Sequence, residues 1–227
     1  MEKRMKNRII TAVFGVALAI LILTASIGLP IYVRPFYYVQ INTLGLVNEE
    51  RGWTYEVIKD AYDEVLDFCT LPWCEFGTGE LRYSEEGASH FADCKGLFIF
   101  NGVMLFVSLA AVVTILILKR CGVVDFVKPF GFDVSFFSGA VLLAVLGTVA
   151  LLASLNFEMA FQVFHTLLFP GKDNWVFDPR YDEIINVMPM EFFMNCAILI
   201  AASVIITSLV FIILGIVRKY RNREDKR

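Results

Sequence analysis

The chain contains 227 residues, of which 57% are hydrophobic and 21 are phenylalanine, and its formal net charge is −3. This charge does not indicate nucleic-acid binding, because the basic tail is short and directly follows an apolar run. Four apolar runs account for the hydrophobic excess, at roughly 9–29, 97–118, 136–155 and 192–217. Each is long enough to cross a hydrocarbon core about 30 Å thick. We therefore expect an all-α membrane protein with four transmembrane helices.

The first run follows four basic residues, as the core of a signal peptide would. It is longer than such a core, however, and no small-residue cleavage site follows it. Gly28–Pro30 and an aromatic stretch follow instead, which is typical of a helix that ends at the membrane interface. We expect this helix to remain uncleaved.

The basic residues predict the orientation of the chain. Of the 20 lysines and arginines, 13 fall at the two ends and between the second and third runs. The positive-inside rule then places both termini in the cytoplasm. Segments 34–96 and 156–191 would form a small extracytoplasmic cap of short helices and irregular or hairpin segments. We interpret residues 1–227 as a single membrane domain.

The first outer segment contains one clear amphipathic pattern, at Thr54–Phe68. Thr54 is suited to the N-cap position. The spacing predicts a helix that lies over the membrane bundle as a lid or wall. Its apolar face would consist of Tyr55, Ile58, Tyr62, Val65 and Leu66.

The only two histidines, His90 and His165, are both predicted on the outer side of the membrane. Imidazole is the side chain best suited to move protons near neutral pH. A membrane helix that begins at Ser89 would place Asp93 one turn from His90, where its carboxylate could hold the tautomer of the imidazole. Alternatively, Asp93 pairs with Lys95 or a loop cation and stabilises the start of the helix.

The second outer segment contains an apolar stretch, 161–170, that is too short to span the membrane and includes His165. This pattern predicts an interfacial or re-entrant helix that lines a cavity. Turn-forming residues follow around Trp175. Asp182 is expected to cap a short helix, and Pro189 is expected to open the last span.

Other chemistries find little support in the sequence. Two histidines with Asp93 are a bare minimum for a metal site, and no glycine-rich phosphate loop or Gly-x-Ser-x-Gly motif is present. Cys69 and Cys74 are candidates for a disulfide, with Cys94 as the competing partner, and the pairing stays open. Their spacing is not that of a Cys-x-x-Cys redox motif. Acid–base chemistry by a histidine pair remains, and acyl transfer within a lipid fits it.

Two outer motifs resemble a known family, the four-helix membrane proteins that include the lipoprotein intramolecular transacylases of Gram-positive bacteria. The first motif is His90-x-x-Asp93-x-Lys95. The second begins at Phe164-His165-x-Leu167-x-Phe169 and continues through Trp175-x-Phe177-Asp178-Pro179.

This resemblance implies transfer of the sn-2 acyl chain of a diacylglyceryl-cysteine lipoprotein to its α-amine, giving a lyso-form lipoprotein. It implies His90 and His165 as the catalytic centre, with no metal and no cofactor. Other residues of these motifs would bind the substrate or support the histidines: Asp93, Lys95, Trp175 and Asp178. Diacylglyceryl-modified lipoproteins and membrane lipids would be the partners, nucleic acid would not, and the site would lie at the extracytoplasmic face of the bacterial cytoplasmic membrane.

Three points stay open at this level. Which histidine acts as the base is not decided by the motifs. The same histidines would also suit a lipid-ester hydrolase. A non-enzymatic membrane module that binds lipid or a partner protein is the alternative from a different class.

Overall fold

The structure, a computed structural model, describes residues 1–224, with side chains as far as Arg221. Lys226 and Arg227 of the basic tail lie outside the described residues. Within 1–224 the chain forms helices and no β-strand, apart from one isolated bridge between Asn48 and Trp53. The α-helices are α1 (Glu2–Tyr32), α2 (Pro35–Thr43), α3 (Tyr55–Thr70), α4 (Glu85–Arg120), α5 (Val134–Leu155), α6 (Phe157–Leu168), α7 (Ile184–Val187) and α8 (Met190–Glu224).

Four of these helices, α1, α4, α5 and α8, are long and apolar enough to cross a membrane. The prediction of an all-α protein with four membrane helices is therefore confirmed. Helix α4 begins at Glu85, well before the apolar run at 97–118, and its first turns consist largely of polar and small residues. His90 consequently lies inside this continuous helix.

The described residues divide into two compact units. Unit 1 contains residues 1–27, 102–151 and the described residues from 200 onward, and its core includes Phe14, Leu18, Val112 and Val204. Unit 2 contains residues 28–101 and 152–199, and both histidines belong to it.

Helix α3 forms much of the core of unit 2. Its N-cap is Thr54, as predicted, and the hydroxyl oxygen of Thr54 accepts a hydrogen bond from the backbone N–H of Val57 over 3.3 Å. Tyr62, on the predicted apolar face of α3, is buried and stacks on Tyr37 with ring centroids 3.8 Å apart. The amphipathic pattern thus located this helix and its buried face.

Asp182 does not cap the short helix that follows it, so this prediction is wrong. Helix α7 begins at Ile184, and Glu183 occupies its N-cap position. The Asp182 carboxylate is buried and instead accepts hydrogen bonds from the backbone N–H and the hydroxyl of Ser84, both over 2.8 Å. This contact ties the start of α4 to the segment before α7.

The candidate disulfide between Cys69 and Cys74 is not formed in the structure, where both residues are free cysteines. Cys69 lies on the buried face of α3, where its thiol approaches the carbonyl oxygen of Phe91 at 3.8 Å. Cys74 lies in the loop beyond α3 and is only half-buried. Burial raises the pKa of the Cys69 thiol, which keeps it protonated.

Candidate active site

His90 lies near the start of α4 and exposes only 6% of its surface. The contacts that fix this end of the helix come from the segment before α7. Besides the bonds between Ser84 and Asp182, the guanidinium of Arg82 donates to the carboxylate of Glu183 over 2.5 and 3.0 Å. His90 is therefore presented from a helix end that is anchored at two points.

His165 lies in the last turn of α6 and exposes 7% of its surface. Asn156 caps this helix by accepting a hydrogen bond from the backbone N–H of Met159 over 2.9 Å. The His165 Nδ1 lies 2.7 Å from the carbonyl oxygen of Phe161. Because a carbonyl oxygen can only accept, Nδ1 carries the hydrogen and Nε2 of the neutral ring keeps a free lone pair.

Burial also sets the charge state of His165. Desolvation lowers the pKa of this imidazole below 6.5, while the hydrogen bond to the Phe161 carbonyl acts in the opposite direction. The neutral form therefore predominates at neutral pH, and it is the form that can accept a proton.

The two histidines lie together, with ring centroids 5.7 Å apart. Aromatic rings surround the pair. Phe169 lies 5.0 Å from His90 and 5.9 Å from His165, and Trp175 stacks on His165 at 4.8 Å. Phe177 approaches His90 edge-on at 5.5 Å. The arrangement places two imidazoles in an apolar, water-poor surrounding, where electrostatic interactions are stronger than in water.

Asp93 does not hold the tautomer of His90. The His90 Nε2 lies 3.4 Å from the thiol of Cys94, and the buried Nδ1 has no hydrogen-bond partner among the described residues. The Asp93 carboxylate instead accepts from Lys172 Nζ over 2.5 Å and from Asn174 Nδ2 over 3.1 Å. The alternative interpretation, in which Asp93 pairs with a loop cation, describes these contacts.

Lys95 and Asp178 lie apart from the histidine pair. Lys95 Nζ donates to the carbonyl oxygens of Pro72 and Cys74, over 3.3 and 3.2 Å. Asp178 forms an ion pair with Arg180 at 2.6 Å, and the hydrogen bonds from Arg180 lower the pKa of this carboxyl to about 2. Of the proposed supporting residues, Trp175 is the one whose ring stacks on a histidine.

Sequence reasoning missed Lys172 and Asn174, which carry both hydrogen bonds to Asp93. Lys172 and Asn174 lie 79 and 81 residues from Asp93 in the sequence, so no local sequence pattern relates either of them to it. A search for basic residues that could pair with Asp93 in the loop after α6 could have identified Lys172.

The described residues form a cavity of about 570 Å³ whose lining includes neither histidine. Arg82 and Asp182, from the anchors described above, line one part of it. Val176 lines another part and is exposed between Trp175 and Phe177. Among the described residues, no group of three or more histidine, cysteine or acidic side chains is placed to hold a metal ion.

The sequence profile of one family, described as lipoprotein intramolecular transacylase Lit, matches residues 12–193. The chain belongs to this family. As a Lit family member it is a membrane acyltransferase that acts on lipoproteins, and the matched range includes both histidines. The sequence-based assignment to this family is confirmed.

Solved structures support the same fold. The chain is similar to the membrane integral lipoprotein intramolecular transacylase Lit from Bacillus cereus, with 24% identity and a TM-score of 0.82 over 96% of this chain and 98% of the other. A form of the Bacillus cereus protein with a histidine-to-arginine mutation matches at 25% identity and a TM-score of 0.73, over 97% and 95% of the two chains. A form with a histidine-to-alanine mutation gives 25% identity and 0.73 over 96% of each chain. A search of curated proteins found no match.

Proposed function

We propose that this Lit family member moves the sn-2 acyl chain of a diacylglyceryl-cysteine lipoprotein onto the α-amine of the same cysteine. The observation that carries the proposal is the close approach of His90 and His165, the chain's only histidines, whose ring centroids lie 5.7 Å apart. Acyl transfer needs a proton to leave the attacking group and a proton to reach the leaving group. Two neighbouring imidazoles can serve both needs without a cofactor.

The reaction requires no external acyl donor. The amine nitrogen attacks the sn-2 ester carbonyl, a carbon–nitrogen bond forms, and the ester carbon–oxygen bond breaks. The amine loses one proton and the departing sn-2 oxygen gains one. The product retains both acyl chains, one as an amide and one on the glyceryl thioether. Because nucleophile and ester belong to one molecule, positioning them together supplies much of the acceleration.

We assign the base to His165. Its Nδ1 hydrogen is committed to the Phe161 carbonyl, so its Nε2 lone pair is the position that can take the proton of the amine. His90 then assists the departing oxygen. When its Nε2 accepts from the Cys94 thiol, its Nδ1 carries a hydrogen that no described residue accepts. The departing oxygen takes this hydrogen, and the proton held by His165 then replaces it on His90, so that both rings are neutral again at the end of the reaction.

The outward face of α6 supports a reaction at the membrane surface. His165 is buried on one side of this helix, whereas Met159, Val163, Phe164 and Leu167 are more than half exposed. Such an apolar face suits contact with lipid. We place this helix at the extracytoplasmic interface, with both termini of the chain in the cytoplasm and the whole chain acting as one membrane domain.

The decisive experiment is mass spectrometry of a reporter lipoprotein, made with this chain in a host that does not N-acylate lipoproteins. We expect a peptide of unchanged total mass whose fragments carry one acyl chain on the cysteine nitrogen. His90→Ala and His165→Ala should each lower the rate by roughly 10²–10⁴-fold. Lys128→Met, which removes an exposed ion pair with Asp133 in unit 1, is the control and should transfer normally.

Two other outcomes would contradict the proposal. A peptide lighter by one acyl chain, with a free amine, would identify a lipid-ester hydrolase. An unaltered diacylglyceryl peptide, with the protein correctly inserted, would remove the sn-2 to amine transfer. If both histidine variants transferred normally, the assigned acid and base would be wrong.

A further inference from the structure

Residues 171–177, here called the strap, connect α6 to the segment before α7 and run beside the histidine pair. The strap turns away from α6 at Gly171, whose φ of +75° lies in the left-handed region that favours glycine. The backbone N–H of Lys172 donates to the Phe169 carbonyl over 3.1 Å, which fixes the direction in which the strap leaves the helix.

The strap is fastened to α4 by one carboxylate. Asp93 accepts from Lys172 Nζ through one oxygen and from Asn174 Nδ2 through the other. The same Asn174 amide lies 3.4 Å from the hydroxyl of Ser89, one turn earlier on α4. The Asp93 side chain is thus the point at which Lys172 and Asn174 of the strap meet the helix that carries His90.

The part of the strap that follows these bonds covers the imidazoles. Trp175 stacks on His165 with an interplanar angle of 28°, and its Nε1 donates to the carbonyl oxygen of Lys172 over 3.1 Å. The position of the indole therefore follows the backbone of Lys172. Phe177 lies against His90 two residues later. With the strap in place, both histidines are more than nine-tenths buried.

We propose that Asp93 is a positioning residue that acts through Lys172 and Asn174, holding Trp175 against His165 until the strap lifts to admit the lipoprotein. The inference rests on the proposed function only in its prediction for the rate of acyl transfer. It differs from a role of Asp93 on His90 itself, because the charges of Asp93 and Lys172 act on His90 in opposite directions. Release of the strap instead predicts the same effect when either side chain is removed.

The ion pair between Lys172 and Asp93 is weak enough for the strap to open. The Lys172 side chain is 48% exposed and that of Asp93 is 23% exposed, so water screens their attraction. An exposed ion pair of this kind shifts an equilibrium by up to about fivefold. The strap is therefore closed in the resting molecule and released at a small cost.

The position of the strap can be measured by the fluorescence of Trp175. Replacing the other tryptophans, Trp53→Phe and Trp73→Phe, leaves Trp175 as the single emitter in the full-length protein in detergent. We expect Asp93→Ala and Lys172→Met each to shift its emission to longer wavelength and to increase quenching by acrylamide. Lys128→Met is a matched control, because the side chains of Lys128 and Asp133 are 47% and 20% exposed, and it should change neither signal. Unchanged emission in both strap variants would overturn the proposal.

The same variants should lower kcat/KM for the reporter lipoprotein by similar factors, roughly two- to fivefold each. The double variant should be no slower than the worse single variant, because both changes release one strap. If the losses of kcat/KM in the two single variants multiplied in the double variant, or if Asp93→Ala alone caused a large loss of kcat/KM, Asp93 would act on His90 directly. Either result would overturn the inference. If the fluorescence of Trp175 showed that the strap was released but kcat/KM did not fall, the inference would also be overturned. Failure of the proposed function is recognised separately, since the unmodified protein would then give no N-acylated peptide while the fluorescence changes persisted.

Discussion

The imidazole of His165 donates its Nδ1 hydrogen to the carbonyl oxygen of Phe161, one turn earlier in the same helix, over 2.7 Å. This backbone contact selects the tautomer without using an acidic side chain. In many histidine bases a carboxylate has that role and also raises the basicity of the ring. Here a neutral acceptor orients the ring, and burial favours its uncharged form.

The pH dependence of the reaction follows from this arrangement. Because burial lowers the pKa of His165, the ring remains neutral as the pH falls past 6.5, the ordinary value, and becomes protonated only at lower pH. The α-amine of the substrate ordinarily titrates near 8, so the rate of N-acylation should fall by about tenfold per pH unit below that value. Protonation of His165 should steepen this fall to about a hundredfold per unit only at a pH below 6.5. The measurement is the initial rate of transfer in detergent across this range. A second increase in slope that is centred at or above 6.5 would contradict the assignment of His165 as the base.

The sequence predicted the elements whose signals are local. The apolar runs located the four membrane helices, and the spacing of Ile58, Tyr62 and Val65 located the buried face of α3. Each of these patterns repeats within a single helix, so no distant contact is needed to recognise it. The two histidines were also predicted as a pair, though their separation could not be read from the sequence.

Contacts between distant segments were not predictable in the same way. The sequence left two roles open for Asp93, either to orient His90 three residues away or to pair with Lys95 or a loop cation. The structure shows a loop cation, but the spacing could not identify it as Lys172. Asp182 was expected to act on the residues after it, yet it accepts from Ser84, 98 residues away. A polar side chain satisfies whichever donor the fold brings near, and local spacing cannot identify that donor.

Gly87 provides a test of the contact between α4 and Asp182. A Cβ at this position would lie 3.1 Å from the carboxyl carbon of Asp182 and closer still to one of its oxygens. Gly87→Ala should therefore displace the carboxylate from Ser84 and destabilise the protein by about 1–3 kcal/mol. Gly96→Ala, in the same helix, is the matched control. Nothing lies within 4 Å of its Cβ position, so this change should be neutral or stabilise by up to about 1 kcal/mol.

Thermal unfolding in detergent distinguishes these two variants. The melting temperature should fall for Gly87→Ala and stay constant or rise for Gly96→Ala. If both variants melted alike, the close approach of Asp182 to the start of α4 would be in error.

The stacked tyrosines of unit 2 allow a comparison of two buried hydroxyls. The Tyr37 hydroxyl donates to the carbonyl oxygen of Val187 over 2.6 Å, whereas the Tyr62 hydroxyl reaches the Pro30 carbonyl over 3.4 Å. Tyr37→Phe leaves a buried carbonyl without its donor and should cost about 1–3 kcal/mol. Tyr62→Phe should cost less, because the longer bond is weaker. The two variants are compared by unfolding under identical conditions, and an equal or reversed order would contradict these bond lengths.

The state of the cysteines can be determined by alkylation. All five cysteines, each within the described residues, are free, so the unfolded protein should take up five alkyl groups without prior reduction. A disulfide between Cys69 and Cys74 would reduce this number by two. In the folded protein Cys121 is exposed and should react quickly, while Cys69 should react slowly, because burial shields its thiol and raises its pKa. Mass spectrometry of the alkylated peptides gives both results, and a Cys74→Ser variant is the control. The variant should take up four groups with or without reductant, which calibrates the count. In the parent protein, uptake of three groups before reduction and five after it would contradict the free thiols.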